Sequence, residues 1–242
     1  MIGTHESAAA VRPRRWGWML AMLAVCLLPP VTFAEESWQV WFDQAAKKAL
    51  GETAAIRAGQ SFHYDCDNGR FATYYLEAGY ARYLLPWLDL GLAYRQQYDK
   101  RDSRWIEENR PYADATLRWT IRQMALSARN RVEYRIRHEQ DDTWRYRNKL
   151  ALQYDAWGAG FGLKPYVAAE AFVDESAKLK ERDQSRFTVG VRTDPERRLP
   201  CAARSRLLHL FEMDYYVTRQ RVKKSGEWTD AYIAGVQLGA RF

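Results

Sequence analysis

On either side of a polar stretch at residues 138–142 the chain carries seven cations and one acid at alternate positions. Arg129, Arg131, Glu133, Arg135 and Arg137 come before it, and Arg145, Arg147 and Lys149 after it. A guanidinium stays charged and presents a planar fork of N–H donors that fits a carboxylate or phosphate with two parallel hydrogen bonds. A row of such forks offers an anionic solute a succession of equivalent sites. Later positions of matching alternation add Glu170, Arg192, Glu212 and Asp214, and earlier ones add Glu77, Asp89 and Asp114. Cations and acids on one face have two uses. They bind a passing anion, or they satisfy one another and fill the space between them.

Covalent and metal chemistry have less to work with. Hydrolysis needs a nucleophile or an activated water beside an oriented base. Beyond the first 34 residues the histidines are His63, His138 and His209. His63 with Asp65 or Asp67 is the best acid–base constellation, yet Asp65-Cys66-Asp67-Asn68-Gly69 reads as a polar turn, where such residues bond their own backbone. No catalytic residue is assigned. Cys26, Cys66 and Cys201 form no Cys-x-x-Cys pair and flank no histidine cluster, so neither a metal nor a cofactor is expected.

The elements that must carry the cations are strands. Val132, Tyr134 and Ile136 alternate with the charges of the first arm, and Trp144, Tyr146, Leu150, Leu152 and Tyr154 with those of the second, Asn148 being the polar exception. A period of two puts every charge on one face of a hairpin and the apolar residues on the other. A soluble sandwich buries such an apolar face, whereas a membrane barrel turns it to lipid and keeps the charges in its lumen.

The two ends favour the barrel. Arg12, Arg14 and Arg15 precede an apolar run from Trp16 to Leu28, then Pro29, Pro30 and Thr32-Phe33-Ala34. This is the pattern of a secretory signal peptide cleaved after Ala34, and the run is shorter than the roughly 18 apolar residues of a spanning helix. Residues 1–34 are therefore expected as the leader and 35–242 as one barrel domain. At the other end Tyr232, Ala234, Val236, Leu238, Ala240 and Phe242 alternate with Ile233, Gly235, Gln237, Gly239 and Arg241. A final strand closing on an aromatic residue resembles the end of bacterial outer-membrane barrels. That resemblance implies recognition by the barrel-assembly machinery.

The composition agrees with these ends. The chain is 28% charged and 14% aromatic, with a mean hydropathy of −0.55, an average that a spanning barrel tolerates because half of each strand faces a polar lumen. Aromatic residues at this abundance suit interfacial girdles. The net charge of +7 falls to about +5 once the leader's three arginines and one glutamate are gone. That excess favours anionic partners, but cations set inside strands of a secreted chain argue against nucleic acid.

The same alternation predicts strands around Trp38–Gln44, Ala54–Tyr64, Tyr74–Tyr80, Leu88–Tyr94, Ala113–Trp119, Val167–Val173, Phe187–Val191 and Leu207–Tyr215. Charged external loops are expected at 97–110, 174–183 and 219–228, alternating with short turns. The expected fold is all-β: a single antiparallel up-and-down transmembrane barrel of about 10 to 12 strands. Ten or eleven are counted, depending on whether the Trp38 segment is a full strand, against the even number usual in bacterial single-chain barrels.

Asn130-Arg131-x-Glu133-x-Arg135, Trp144-Arg145-x-Arg147-Asn148, Pro165-Tyr166-x-x-x-Glu170 and Arg186-Phe187-x-x-Gly190-Val191 resemble a family of outer-membrane barrels catalogued only as a domain of unknown function. The resemblance spans most of the chain after the leader. More distantly, in architecture and arginine stripes, the chain is similar to small monomeric porins for acidic oligosaccharides, which implies a substrate class and no named residues. The expectation is an outer-membrane barrel among lipid, with Arg129, Arg131, Glu133, Arg135, Arg137, Arg145, Arg147, Lys149, Glu170, Arg192, Glu212 and Asp214 lining its lumen. That lumen is either a channel for anionic oligosaccharides or closed by its own ion pairs.

Overall fold

The computed structural model describes residues 36–138, 140–155, 162–175, 180–193, 211–224 and 227–242, with the backbone alone at 180–183 and 224. The expected leader at 1–34, Cys201 and His209 lie outside the described residues. Among the described residues eleven strands follow in chain order: β1 (Ser37–Ala49), β2 (Ala54–Asp65), β3 (Arg70–Leu85), β4 (Leu88–Arg101), β5 (Arg104–Ile121), β6 (Met124–Arg137), β7 (Thr143–Tyr154), β8 (Leu163–Glu175), β9 (Lys180–Thr193), β10 (Phe211–Lys224) and β11 (Glu227–Arg241). Each pairs with the next, and β1 closes the sheet onto β11.

The Trp38 segment is thus a full strand, and the count is odd. Successive up-and-down strands reverse direction, so an odd number closes only through one parallel pair, here Ser37 opposite Ala231 through Lys47 opposite Arg241. Ser37 and Phe242 therefore lie at opposite rims. The register also advances around the wall. From Ser37 it runs through Ala231, Gln220, Arg186, Glu170, Lys149, Arg129, Thr116 and Asp89 to Tyr83. Tyr83 donates its N–H to Thr53 O, past the far end of β1. This stagger is what tilted strands in a closed barrel require.

Polarity is distributed the opposite way from a water-soluble core. Leu92 (65% exposed), Phe71, Leu150 and Val217 face out, while Arg131, Glu133, Arg147, Glu170 and Asp214 are buried inside. Alternation explains both faces at once, because a strand with one apolar and one charged side must turn one of them inward.

Among the described residues the expected charged loops are largely strand. β4 and β5 run through 97–110 with only a two-residue turn at Asp102-Ser103, and the described residues of the other two stretches belong to strands, 174–175 to β8, 180–183 to β9, 219–224 to β10 and 227–228 to β11. Connections at both rims are short among the described residues, so the expected alternation of long and short does not hold. The apolar period fades in these stretches because both faces become polar. In β4 and β5, Gln96 and Asn109 donate to Glu107 on the outer face at 2.8 and 3.0 Å, while Gln97 donates to Asp99 on the inner. Cross-strand polar pairs hold a ladder as apolar ones do.

Proline and turn chemistry fit this ladder. Pro111 sits where the pairing of β5 with β6 skips from Asn109 to Tyr112, as expected of a residue with no N–H to give. The two-residue turns place Asp102 at φ 51° and Arg122 at φ 55°, the left-handed conformation that tight hairpins demand and that aspartate tolerates better than arginine.

Candidate functional site

The inward side chains of β2, β5, β6, β7 and β8 form one continuous chain of ion pairs. Arg57 bonds Asp114 at 2.8 Å, and Asp114 takes both Nε and Nη2 of Arg131 at 2.6 and 3.1 Å. Arg131 and Arg147 converge on Glu133 at 3.4 and 2.8 Å. Arg147 continues to Glu170, which also receives Arg129 at 2.7 Å. Glu133 at the centre is 1% exposed. Removing charges from water costs several kcal/mol per ion, so such a chain persists only when each member finds partners, as these do.

Register makes the chain possible. Asp114 stands opposite Arg131 on β6 and bonds it directly, whereas Arg131 stands opposite its like, Arg147, on β7, and Arg147 draws Glu133 and Glu170 diagonally from neighbouring rows. Arg57 reaches β5 across two intervening strands whose nearby inward positions are Gly79 and Gly91. A Cβ at Gly79 would stand 2.5 Å from that of Ala93 and 3.1 Å from Arg57 Nε. Only glycine leaves that path open.

Two further groups flank this chain. Nearer the rim opposite Phe242, Glu108 holds Arg135 and Arg110, Arg135 passes to Asp174 at 2.8 Å, and Asp174 also holds Arg145. On the wall of β3 and β4, Glu77 takes Arg95 at 2.7 Å and the Tyr112 hydroxyl at 3.1 Å. Aromatic rings complete a belt around the inner wall. Trp41 stacks on His63 at 3.9 Å, and His63 meets the edge of Tyr75. Arg95 lies 3.9 Å over Tyr75, and Arg131 3.8 Å over Tyr112. Phe172 carries Arg147 and Arg186 on its face, and Arg186 returns to Trp41 at 4.9 Å. A guanidinium over a ring gains the attraction of the ring quadrupole, more so away from water.

Belt side chains and their neighbours are shut off from solvent: Ser61 and Ile233 are 0% exposed and Phe172 1%. Between the belt and the rim of Thr120 and Ala125 lies a cavity of about 730 Å³, lined among others by Arg129, Lys149, Arg186, Tyr166 and Tyr216. Glu108, Arg110, Arg135 and Asp174 do not border it.

Of the expected lumenal residues, Arg129, Arg131, Glu133, Arg147, Lys149 and Glu170 come together at and below the belt. Arg135 and Arg145 belong to the separate cluster near the other rim. Arg192 pairs with Asp214 at 3.0 Å, and Glu212 with Arg241 beside Phe242. Arg137 turns to its own hairpin, donating to Asp141 O at 3.0 Å and Gln140 Oε1 at 2.9 Å. Glu108, Arg110 and Asp174 fall in stretches expected as loops; the unbroken alternation Glu108, Arg110, Tyr112, Asp114 is the signal that places the first two.

His63 and its aspartates are not assembled. The His63 ring is sandwiched by aromatics, while Asp65 accepts hydrogen bonds from the backbone of Asp67 and Asn68 in the turn. Among the described residues no three of His, Cys, Asp and Glu are grouped to hold a metal ion.

A family model described as "Protein of unknown function (DUF2490)" matches residues 38–201, from β1 through β9. Neither a curated protein nor a solved structure matches the chain.

Proposed function

The chain belongs to the DUF2490 family, and we propose that it is an outer-membrane β-barrel whose lumen is closed at mid-height by its own arginine–carboxylate belt. The observation that carries the closure is the burial of the inner wall. Residues facing a water-filled channel of this width would be wetted, whereas Glu133, Phe172, Ser61 and Ile233 are at most 1% exposed. An 8-stranded barrel is just wide enough for side chains to fill, and larger ones need bulkier contents to close. Arginines stretched across neighbouring strands and stacked on rings provide them.

Support for the membrane reading is the inverted polarity, with a mainly apolar outer face on a sheet closed on itself so that no edge is left unpaired. Lipid is then the outer partner, and the barrel-assembly machinery the proposed partner of β11. In this orientation the Phe242 rim faces the periplasm and the Cys66 turn the exterior. A second reading, a gated channel for anionic solutes, is favoured by one feature: cations outnumber acids around the cavity. Leakage from proteoliposomes loaded with a small anionic dye separates the two. Retention of the dye supports the closed barrel, and steady release supports the channel.

A further inference from the structure

Four inward side chains stand side by side in one row across β6, β7, β8 and β9: Arg129 opposite Lys149, Lys149 opposite Glu170, and Glu170 opposite Arg186. Three are cations and one is an acid. Arg147, one step along β7, draws on that same acid. Its Nε and Nη2 lie 3.1 and 2.9 Å from Glu170 Oε1, the oxygen that also takes Arg129 Nη2 at 2.7 Å. A single carboxylate thus serves two guanidiniums, and Lys149 and Arg186 have no carboxylate within ion-pair distance among the described residues. Arg186 has instead a hydrogen bond to Gln220 Oε1 at 2.7 Å and the faces of Trp41 and Phe172. Arg129 Nε is buried with no protein partner.

Elsewhere in the lumen every arginine of the ion-pair chain and its two flanking groups has at least one carboxylate, shared or its own. Arg57 and Arg131 share Asp114, Arg95 has Glu77, Arg135 has Glu108 and Asp174, and Arg192 has Asp214. Among the described residues Lys149 and Arg186 are without a paired carboxylate, and their row lines the cavity of about 730 Å³. Charge withdrawn from bulk water calls for a counter-charge. Neighbouring strands are about 4.8 Å apart, so Arg129 and Lys149 are one strand apart and Arg186 lies two strands from Lys149, distances that long flexible side chains span to reach one tetrahedral or planar oxyanion.

We propose that Arg129, Lys149 and Arg186 form a binding site for a small dianion, a phosphate or dicarboxylate group, seated in the cavity below the belt. Two negative charges balance the two cations that lack an acid. The guanidiniums supply forked donors and Lys149 a mobile ammonium. Trp41, in contact with Arg186 and itself lining the cavity, gives the site a fluorescent reporter. The site rests on the lumen geometry alone and holds whether or not the barrel conducts.

The test is a titration of the full barrel, folded in detergent, with sodium phosphate and with succinate at constant ionic strength, read by tryptophan fluorescence and calorimetry. Both dianions should bind saturably and compete, while chloride at matched ionic strength should not. Lys149→Gln should weaken phosphate at least ten-fold. Because Lys149 stands beside Arg129 and Arg147 and makes no ion pair with Glu170 across from it, its neutral variant should fold as well as the parent, which heat-modifiable migration on a gel verifies. Arg118→Gln, in the same cavity but paired with Asp89 at the rim at 2.5 Å, should change affinity less than two-fold. Binding that does not saturate, that chloride reproduces, or that Lys149→Gln leaves intact overturns the site. Dye leakage reads a different property, so closure can fail while the site stands, and the reverse.

Discussion

Glu133→Gln isolates one negative charge at the centre of the lumenal network. The side chain keeps its shape and an acceptor oxygen, so what changes is the charge facing Arg131 at 3.4 Å and Arg147 at 2.8 Å. Breaking a buried pair by removing one partner costs about 3–5 kcal/mol, much of it the penalty of the cation left behind. Here both cations retain an acid: Arg131 keeps Asp114 at 2.6 Å and Arg147 keeps Glu170 at 2.9 Å. The lower end applies, about 3 kcal/mol, or roughly a hundred-fold in the folding equilibrium constant. The comparison is Arg118→Gln: Arg118 itself is mostly exposed in its pair with Asp89, which is worth at most about 1 kcal/mol. Equilibrium urea unfolding in detergent, followed by tryptophan fluorescence, measures both. Adding Arg147→Gln to Glu133→Gln should cost less than the sum of the two single changes, because both partners are then neutral. If Glu133→Gln costs no more than Arg118→Gln, or if the two changes simply add, the network does not hold the lumen together.

Other outcomes follow from the same geometry. Leu92→Arg on the outer face should destabilise a lipid-embedded barrel by about 2–4 kcal/mol and a water-exposed one scarcely at all; unfolding in vesicles distinguishes them. With Cys201→Ser in the background, a membrane-impermeant maleimide on intact cells should label Cys66, an exposed free thiol, and labelling only after the outer membrane is permeabilised would reverse the orientation. Arg122→Gly should stabilise by about 1 kcal/mol by relieving a left-handed arginine in a two-residue turn, and a loss of stability in the same unfolding assay would show that the Arg122 side chain contributes more than its strain costs.

The strand architecture was legible wherever one face of a segment was apolar. Apart from Asn130 and Asn148 on the outer face of the hairpin, β6, β7, β8 and the last strand keep the alternation, and their inward and outward residues fall as the period of two places them. Legibility failed where strands rise beyond the apolar band. There Gln96, Glu107 and Asn109 bond one another on the outer face, and hydropathy carries no period for a reader to find. The parallel closure of β1 on β11 was not legible at all, since it follows from the parity of the whole count and from no local residue. For the site, alternation identified inward cations, but the pairing of Arg57 with Asp114 across two strands depends on glycines 79 and 91 and on register, which residue type alone does not encode. The belt's aromatic members were missed for a related reason. Trp41, Tyr75 and Phe172 read as apolar residues, whereas in this lumen they are platforms for guanidinium groups.

Closure of the lumen is tested most directly by single-channel recording of the purified barrel in a planar bilayer, first at low salt, where a Debye length of about 10 Å at 0.1 M leaves the lumenal field least screened. The belt predicts a flat baseline from protein that migrates as a folded, heat-modifiable barrel. Stable anion-selective steps from that same preparation would contradict it and establish the arginine rows as the wall of an open pore.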